Sequence, residues 1–590
     1  MYTTGSPDNG APRFSATRTR RKALALTLLL ALPWAGAAAQ TPSQADLDAA
    51  AREAEAAQRD LRIRQQEQRR QDLQSAQPPT RLKAPEPEPV TPREGPCRDI
   101  ASLQVEGVTL LEAPTVAQIT ARYAGRCLGV TEIEKLLSEF TLAYIEQGYV
   151  GARVYLPQQD LSTGVLRVQV IEGRVQGLQV EDGEQGSISL GNVAPGMVGE
   201  PLNLRDLEQT LDQINRLASN NASFDIRPGE APGDSVVVLN NAPSRAWRVL
   251  ASYDNHGSES TGRKQAGLTV MVDNPLGFND FISLTHRRAA PYESGETASH
   301  STSLSYVLPY GYSTYNLSLS HSEYASTFLA PSGVPLHSHG NSGAVTLGSD
   351  RVVYRDGRNL LRLRAGLTVK ESKNYLEDIL LEVSSRRLSI LDLDADFSRP
   401  VAGGLFSLQL GFSHGLSSFS PLKDAENLPD WAPRAQFSKF RYGFAYTRPF
   451  SLGGQNFSWS SSLVGQKSDD VLYGSEQISI GGIYSVRGFT ANSLSGDDGF
   501  YLRNELSHTR PYAIPNGPAG YLRPYLALDT GQVRNRVDGV PEGSLTGAAV
   551  GLGIGLGPVT LDVFHARPVS HPGYMERESG ETWFRLSATL

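Results

Sequence analysis

The chain has 590 residues, 39% hydrophobic and 20% charged, with a formal net charge of −7 and a mean hydropathy of −0.30. Those figures describe several domains, because single cores rarely exceed about 250–300 residues. They exclude a helical membrane protein, which needs repeated apolar runs of about 20 residues, and the acidic balance gives no electrostatic case for a nucleic-acid partner.

The one long apolar segment spans 23–39, follows the basic stretch Arg18-Thr19-Arg20-Arg21-Lys22 and closes on small residues. That order predicts a secretory signal peptide over 1–39, cleaved after Ala39. Pro33 interrupts the segment and argues against an anchor helix. Residues 44–74, within the segment 40–76, hold no Gly or Pro and are rich in Ala, Gln, Glu and Arg, a strong helix-forming composition. Their apolar stripe (Leu47, Ala50, Ala54, Ala57, Leu61) is too thin to bury one face in a core. Such a helix sits in water or in a polar channel. Seven prolines between 77 and 96 then predict a semi-extended linker.

From Cys97 the texture becomes α+β. Export makes an oxidising compartment plausible, and the chain's two cysteines are Cys97 and Cys127. A disulfide between them would close a loop of about 30 residues and stabilise by about 3–4 kcal/mol in the chain-entropy model. The alternative, a metal site, lacks nearby His to complete four ligands. A strand over 100–105 precedes a short helix marked by Val116, Ile119 and Tyr123. A second helix has Thr131 as N-cap with Glu134 three residues on, an apolar face through Ile133, Leu136, Phe140 and Tyr144, and a stop at Gly148. Strands follow at 150–156 and 165–171, joined by a turn at 160–164. A shorter version of this plan comes next: a strand over 175–180, a helix capped by Asn203 with Leu204, Leu207, Leu211, Ile214 and Leu217 on one face, and a hairpin from 224–227 and 235–239. Two tandem small domains, 97–173 and 174–245, are the reading.

Beyond about Trp247 the period becomes two. Leu361, Leu363, Ala365, Leu367 and Val369 alternate with Arg362, Arg364, Gly366, Thr368 and Lys370. The pattern returns at 391–397, at 439–446 and at 550–557, where the alternating partners are glycines 551, 553, 555 and 557. A soluble sandwich and a membrane barrel both give this period. The length of 246–590 without a second texture, the supply of aromatic residues for interface girdles and the signal peptide favour the barrel, with apolar residues toward lipid and charged ones toward a wet lumen. At about 20–22 residues per strand and turn it holds about 16 antiparallel strands.

No enzyme chemistry is visible. Gly411-Phe412-Ser413-His414-Gly415 matches G-x-S-x-G but lies in an alternating strand, where a hydrolase elbow needs strand–turn–helix. Walker A, H-E-x-x-H and G-x-G-x-x-G sequences do not occur, so neither a nucleotide, a cofactor nor a catalytic metal is expected.

The string Arg126-Cys127-Leu128-Gly129, Gly148-Tyr149-Val150, Tyr155-Leu156-Pro157-Gln158-Gln159-Asp160-Leu161, Gly164 and Ile171-Glu172-Gly173 strongly resembles the first POTRA domain of the two-partner secretion transporters, the TpsB family of FhaC- and ShlB-like proteins. Asp273-Asn274-Pro275-Leu276-Gly277-Phe278-Asn279-Asp280 resembles the family's first strand turn. Val486-Arg487-Gly488-Phe489 is similar to the tip of its long sixth extracellular loop, a feature shared with the wider BamA-like superfamily. The resemblance implies an N-terminal plug helix, a linker, two periplasmic POTRA domains and a 16-stranded barrel in the outer membrane of a Gram-negative bacterium. The partners it implies are membrane lipid and one unfolded secreted exoprotein of the haemolysin or adhesin kind, moved without nucleotide hydrolysis. It also implies that Arg487 pairs with Asp529 of an [FG]-x-D-x-G motif on the barrel wall. Here the motif reads Ala527-Leu528-Asp529-Thr530-Gly531, with Ala at its first position. The alternative reading, a BamA-like assembly factor, would carry more POTRA domains and no plug helix.

Overall fold

The computed structural model describes residues 80, 95–181, 188–290, 298–329, 333–515 and 517–590. The expected signal peptide, plug helix and nearly all of the linker lie outside the described residues. The first domain runs β1 (Arg98–Ile100), β2 (Ser102–Glu106), α1 (Ala113–Ala121), β3 (Arg126–Leu128), α2 (Val130–Glu146), β4 (Arg153–Tyr155) and β5 (Val165–Ile171). Its sheet has the order β2-β5-β4, with β5 parallel to β2 and antiparallel to β4. Leu136, Phe140 and Tyr144, spaced four apart on α2, cover Leu166, Val168 and Val170 of β5, and all six are at most 2% exposed. Cys97 and Cys127 are joined by a disulfide, with Cα atoms 5.3 Å apart.

Three local expectations are corrected. The strand over 100–105 breaks at Ala101, because the Ala101 and Ser102 amides both donate to the Gly164 carbonyl. Helix α2 is capped two residues earlier than its sequence suggests. The Gly129 amide donates to Glu132 Oε2 at 3.0 Å, while Thr131 is buried inside the helix. The strand over 150–156 shortens to β4, since Val150 and Gly151 are taken up by the junction to the second domain. There a Cβ on Gly173 would stand 2.7 Å from the Gly151 backbone. Only paired glycines permit that approach.

The second domain comprises β6 (Arg174–Glu181), α3 (Leu190–Val193), α4 (Leu204–Asn215), β7 (Ala222–Pro228) and β8 (Asp234–Asn241), with sheet order β6-β8-β7. Asn203 caps α4, its side chain accepting from the Arg205 amide at 2.8 Å. Leu207, Leu211 and Ile214 face the sheet. The opposite face, Glu208, Gln209 and Gln213, is also buried, because it lies against the barrel. Gln213 donates to the carbonyls of Gly311 at 3.0 Å and Ser313 at 3.2 Å.

The barrel begins with β9 (Trp247–Asp254), β10 (Gln265–Asp273), β11 (Phe281–Ala289), β12 (Ala298–Tyr310), β13 (Ser313–Leu329), β14 (Pro335–Arg355) and β15 (Leu360–Leu376). It continues through β16 (Ile379–Leu380), β17 (Arg386–Val401), β18 (Gly404–Leu416), β19 (Ser438–Leu452) and β20 (Gln455–Ser468). A loop carries β21 (Ile478–Ile480) and β22 (Leu494–Gly496). The wall then resumes as β23 (Asp498–His508), β24 (Arg510–Ala513), β25 (Ala519–Arg534), β26 (Gly543–Leu556), β27 (Val559–Ser570) and β28 (Glu581–Thr589). The sheet closes where β28 pairs with β9. Taking β16 as a loop hairpin and β24 as the continuation of β23 leaves sixteen antiparallel strands. Leu363 and Leu393 are exposed on the outer face. On the inner face Arg364 pairs with Asp396 at 2.6 Å and Arg441 with Asp392 and Asp394 at 3.0 Å. A barrel of this size leaves an aqueous lumen.

The turn at 274–280 joins β10 to β11 at the end that carries the small domains. Asn274 and Asn279 adopt positive φ (55° and 52°), and Asp280 accepts from the Leu276 and Phe278 amides at 3.2 Å. Asn279 then donates to Ser189 of the second domain at 2.7 Å, and Asp273 accepts from the Ser219 amide at 2.8 Å. The turn is therefore a docking plate for the second domain.

Glu172 ties the first domain together. It accepts from the amides of Thr109 (2.7 Å) and Leu110 (2.8 Å), the Tyr144 hydroxyl (2.8 Å) and the Thr109 hydroxyl. Partial burial pushes the carboxyl up, but these bonds outweigh it and hold its pKa below the ordinary value. The stabilisation is thus present above the unfolded-state value of about 4.3 and is lost as pH falls through the lower folded value. Glu172→Ala should lower the stability of this domain by about 2–4 kcal/mol, read as faster proteolysis within 95–173 at pH 7. The difference from the unsubstituted chain should shrink on acidification.

Candidate functional site

The loop 469–497, between β20 and β23, leaves the barrel end opposite the small domains. Its strands β21 and β22 pair in register Ile478↔Gly496, Ser479↔Ser495 and Ile480↔Leu494, so it is a hairpin. The hairpin lies on the inner wall. Ile478, Ile480, Val486, Phe489 and Leu494 form one apolar cluster with the wall residues Tyr501, Val533 and Leu545. Val486 is 0% and Phe489 2% exposed.

The wall is shaped for this approach. A Cβ on Gly531 would stand 2.9 Å from Ile480 Cγ2, and one on Gly547 would fall 1.7 Å from the Arg487 carbonyl. Gly488 itself has φ +102°, and a Cβ there would lie 2.4 Å from the Arg567 carbonyl carbon. At this tip the main chain needs glycine for both reasons. The glycines further along β26 serve a different purpose. Cβ atoms at 551 and 555 would meet the Tyr525 and Tyr521 rings at 2.2 Å, so rings from β25 cover them.

At the tip, Arg487 Nε donates to Asp529 Oδ2 at 2.6 Å and Nη2 to Oδ1 at 2.9 Å, a bidentate pair, and the Arg487 amide adds a third bond at 3.2 Å. The side chains are 4% and 1% exposed. Glu505 accepts from Arg487 Nη1 at 3.2 Å and also pairs with Arg523. Arg503, opposite Asp529 in the ladder, reaches it at 3.9 Å and donates to the Tyr484 carbonyl at 3.2 Å. Three guanidinium groups thus share two carboxylates. Ala527 packs with Ala549, Phe564, Ala566 and Trp583 beside Ile483 of the loop.

Two further anchors were not visible in the sequence. Glu476, 5% exposed, is held by Lys370 of β15 and by Lys439 of β19 at 3.0 Å, and Gln466 donates to its carbonyl at 3.0 Å. Glu578, in the loop 571–580, accepts from the amides of Thr490 (2.6 Å), Ala491 (3.2 Å) and Asn492 (2.7 Å). Partial burial pushes that carboxyl up, and the bonds from Thr490, Asn492 and Ala491 bring it below the usual carboxylate range. Three successive amides just past Phe489 are the only local signal for such a partner, and any acidic residue could have supplied it. The other sequence candidates lie elsewhere. The Cys97–Cys127 disulfide belongs to the first domain, and Ser413 sits mid-strand in β18 with its hydroxyl donating to Asp392 at 2.6 Å.

A closed sixteen-strand barrel with a charged lumen, an inward loop and two tandem small domains, the second docked at one mouth, defines an outer-membrane pore. Comparison with known proteins refines this. Residues 233–554 match the model of the haemolysin secretion/activation protein ShlB/FhaC/HecB family, residues 99–173 a ShlB-type POTRA domain and residues 174–228 a POTRA domain. The chain is 34% identical over 526 residues to the outer membrane transporter CdiB of Escherichia coli, covering 89% of this chain and 87% of that one. It is 33% identical over 472 residues to the haemolysin transporter protein ShlB of Serratia marcescens, covering 80% and 82%. The solved structure of CdiB from Escherichia coli superposes with a TM-score of 0.82 at 32% identity, over 93% of this chain and 99% of that one. The chain belongs to the ShlB/FhaC/HecB family of haemolysin secretion/activation proteins. It is an outer-membrane transporter of two-partner secretion, with its POTRA domains in the periplasm.

Gly488→Ala adds a Cβ to a left-handed position already in contact with Arg567. With strain of about 1–3 kcal/mol, the loop 469–497 should become about tenfold more sensitive to protease added outside the cell. Unchanged protection of a well-inserted variant would contradict this placement of the tip.

Proposed function

We propose that the chain exports one large exoprotein in unfolded form and that the Arg487–Asp529 pair is the latch that keeps the sixth extracellular loop, 469–497, in its working position. The observation that carries this reading is the bidentate, almost fully buried contact between the loop tip and the wall. The client meets the POTRA domains first. β4 and β7 each end a three-stranded sheet, and such edges take up an extended chain by strand addition, reading backbone more than sequence. The client then passes the lumen, whose inner face presents paired charges such as Arg364–Asp396. Folding of the client outside supplies direction, which fits a chain with no nucleotide-binding motif. The relatives named for haemolysin transport support a client of that kind for this chain.

Removing one partner of a buried pair strands the other charge at a cost of about 3–5 kcal/mol. Arg487→Ala should therefore abolish secretion of the client, while heat-modifiable gel mobility shows that the barrel still assembles. Normal secretion by a well-inserted variant would sink the latch.

A further inference from the structure

The strand registers arrange the outward-facing residues of the wall in rows. Leu304, Leu319, Val345 and Val369 form one row across β12 to β15. It is the upper limit of the apolar belt. Toward the periplasm the outward positions of β15 continue as Leu367, Ala365, Leu363 and Leu361, and toward the outside they turn to Glu371 and Lys373. The next row outward is Thr302, His321, Gly343, Glu371 and, on β17, Arg387. The row beyond it is His300, Glu323, Asn341 and Lys373.

Gly343 leaves the centre of the first polar row without a side chain. Sterics do not demand glycine here. A Cβ would meet nothing closer than the Ser320 carbonyl at 3.7 Å. The gap opens a notch of about 520 Å³ on the outer wall. Its floor is the apolar row, and its rim carries His321, Asn341, Glu371, Lys373 and Arg387. His321 is engaged by Glu323 at 2.9 Å. At the notch itself Lys373 and Arg387 face one carboxylate, Glu371, which lies 3.2 Å from Lys373 Nζ. Lys373 remains 49% exposed.

A net cationic rim over an apolar floor, at the extracellular edge of the belt, selects an amphiphile carrying phosphate at its head. The acceptors Asn341 and Glu371 beside the cations suit a head that also offers hydroxyl or amide donors. We infer that this notch binds a phosphorylated glycolipid of the outer leaflet. The phosphate sits against Lys373 and Arg387, the sugar against Asn341 and Glu371, and an acyl chain along Leu319 and Val345. Charge-assisted contacts to phosphate set the preference, and the acyl contact adds apolar burial. The inference rests on the outer-membrane placement of the barrel and not on the loop latch.

The test uses full-length protein in detergent, incubated with bis-phosphorylated lipid A, the same lipid without phosphates, or phosphatidylglycerol, with retained lipid counted by native mass spectrometry. The unsubstituted chain should retain the phosphorylated glycolipid about tenfold better than either other lipid. Lys373→Gln with Arg387→Gln removes the charge, and Gly343→Phe fills the notch with every charge left in place. Each should lower retention about tenfold, with heat-modifiable mobility unchanged as the check on folding. Equal retention by both variants and the unsubstituted chain would overturn the site. Equal retention of phosphatidylglycerol and lipid A by the unsubstituted chain would overturn the glycolipid.

Discussion

Arg487 carries its charge into a setting where only 4% of its side chain meets solvent, and the shape of the barrel's inner wall follows from that placement. Desolvating a guanidinium and a carboxylate costs several kcal/mol per ion, which a single contact would not offset. The bidentate geometry, the Arg487 amide bond and the second carboxylate of Glu505 together do so. The loop must reach the wall closely enough to form these bonds. That requirement explains Gly531 and Gly547, whose missing side chains admit Ile480 and the Arg487 carbonyl, and Gly488, which turns the tip in a left-handed conformation. The apolar cluster of Val486 and Phe489 with Val533 and Leu545 excludes water from the pair and strengthens it.

The same logic, burial of polar groups only where each finds a partner, governs the other end of the barrel. Helix α4 is buried on two faces, one apolar against its own sheet and one polar against the strand turns. Arg355 of β14 bonds Glu208 at 3.2 Å and Asp212 at 2.7 Å, and also donates to the Thr80 carbonyl at 2.7 Å. The second POTRA domain is consequently a fixed extension of the wall and gives the periplasmic mouth a defined geometry. Fixed mouth and anchored loop bracket the lumen between them.

Much of this architecture could be read from local pattern. The alternation at 361–370 marks β15 because strand period is a property of neighbouring residues, and Asn203 caps α4 because capping needs only three residues of context. Where two local patterns compete the reading slips. Gly129 with Glu132 and Thr131 with Glu134 offer the same spacing, and burial of Thr131 decided between them. Long-range partners are not written locally at all. Arg487 and Asp529 lie 42 residues apart and were joined in the sequence by resemblance. Glu505 and Lys439 look like any other charged position on a lumen-facing strand, and Glu578 looks like a solvated loop acid. The buried polar face of α4 has no local signature either, since nothing in Glu208, Gln209 or Gln213 shows that strand turns will cover them.

The latch requires one pair to act as a unit, so the coupling between its members is the quantity to measure. With Ile480→Cys as reporter, a site 0% exposed while the hairpin is docked, the labelling rate by an impermeant maleimide in intact cells gives the free energy of loop detachment. Four chains close the cycle: unsubstituted, Arg487→Ala, Asp529→Ala and the double variant, all in the reporter background. A latch acting as a unit gives a coupling energy of about 3 kcal/mol, with the double variant detaching little more readily than either single one. Additive effects with coupling near zero would show that the two residues act separately and would contradict it.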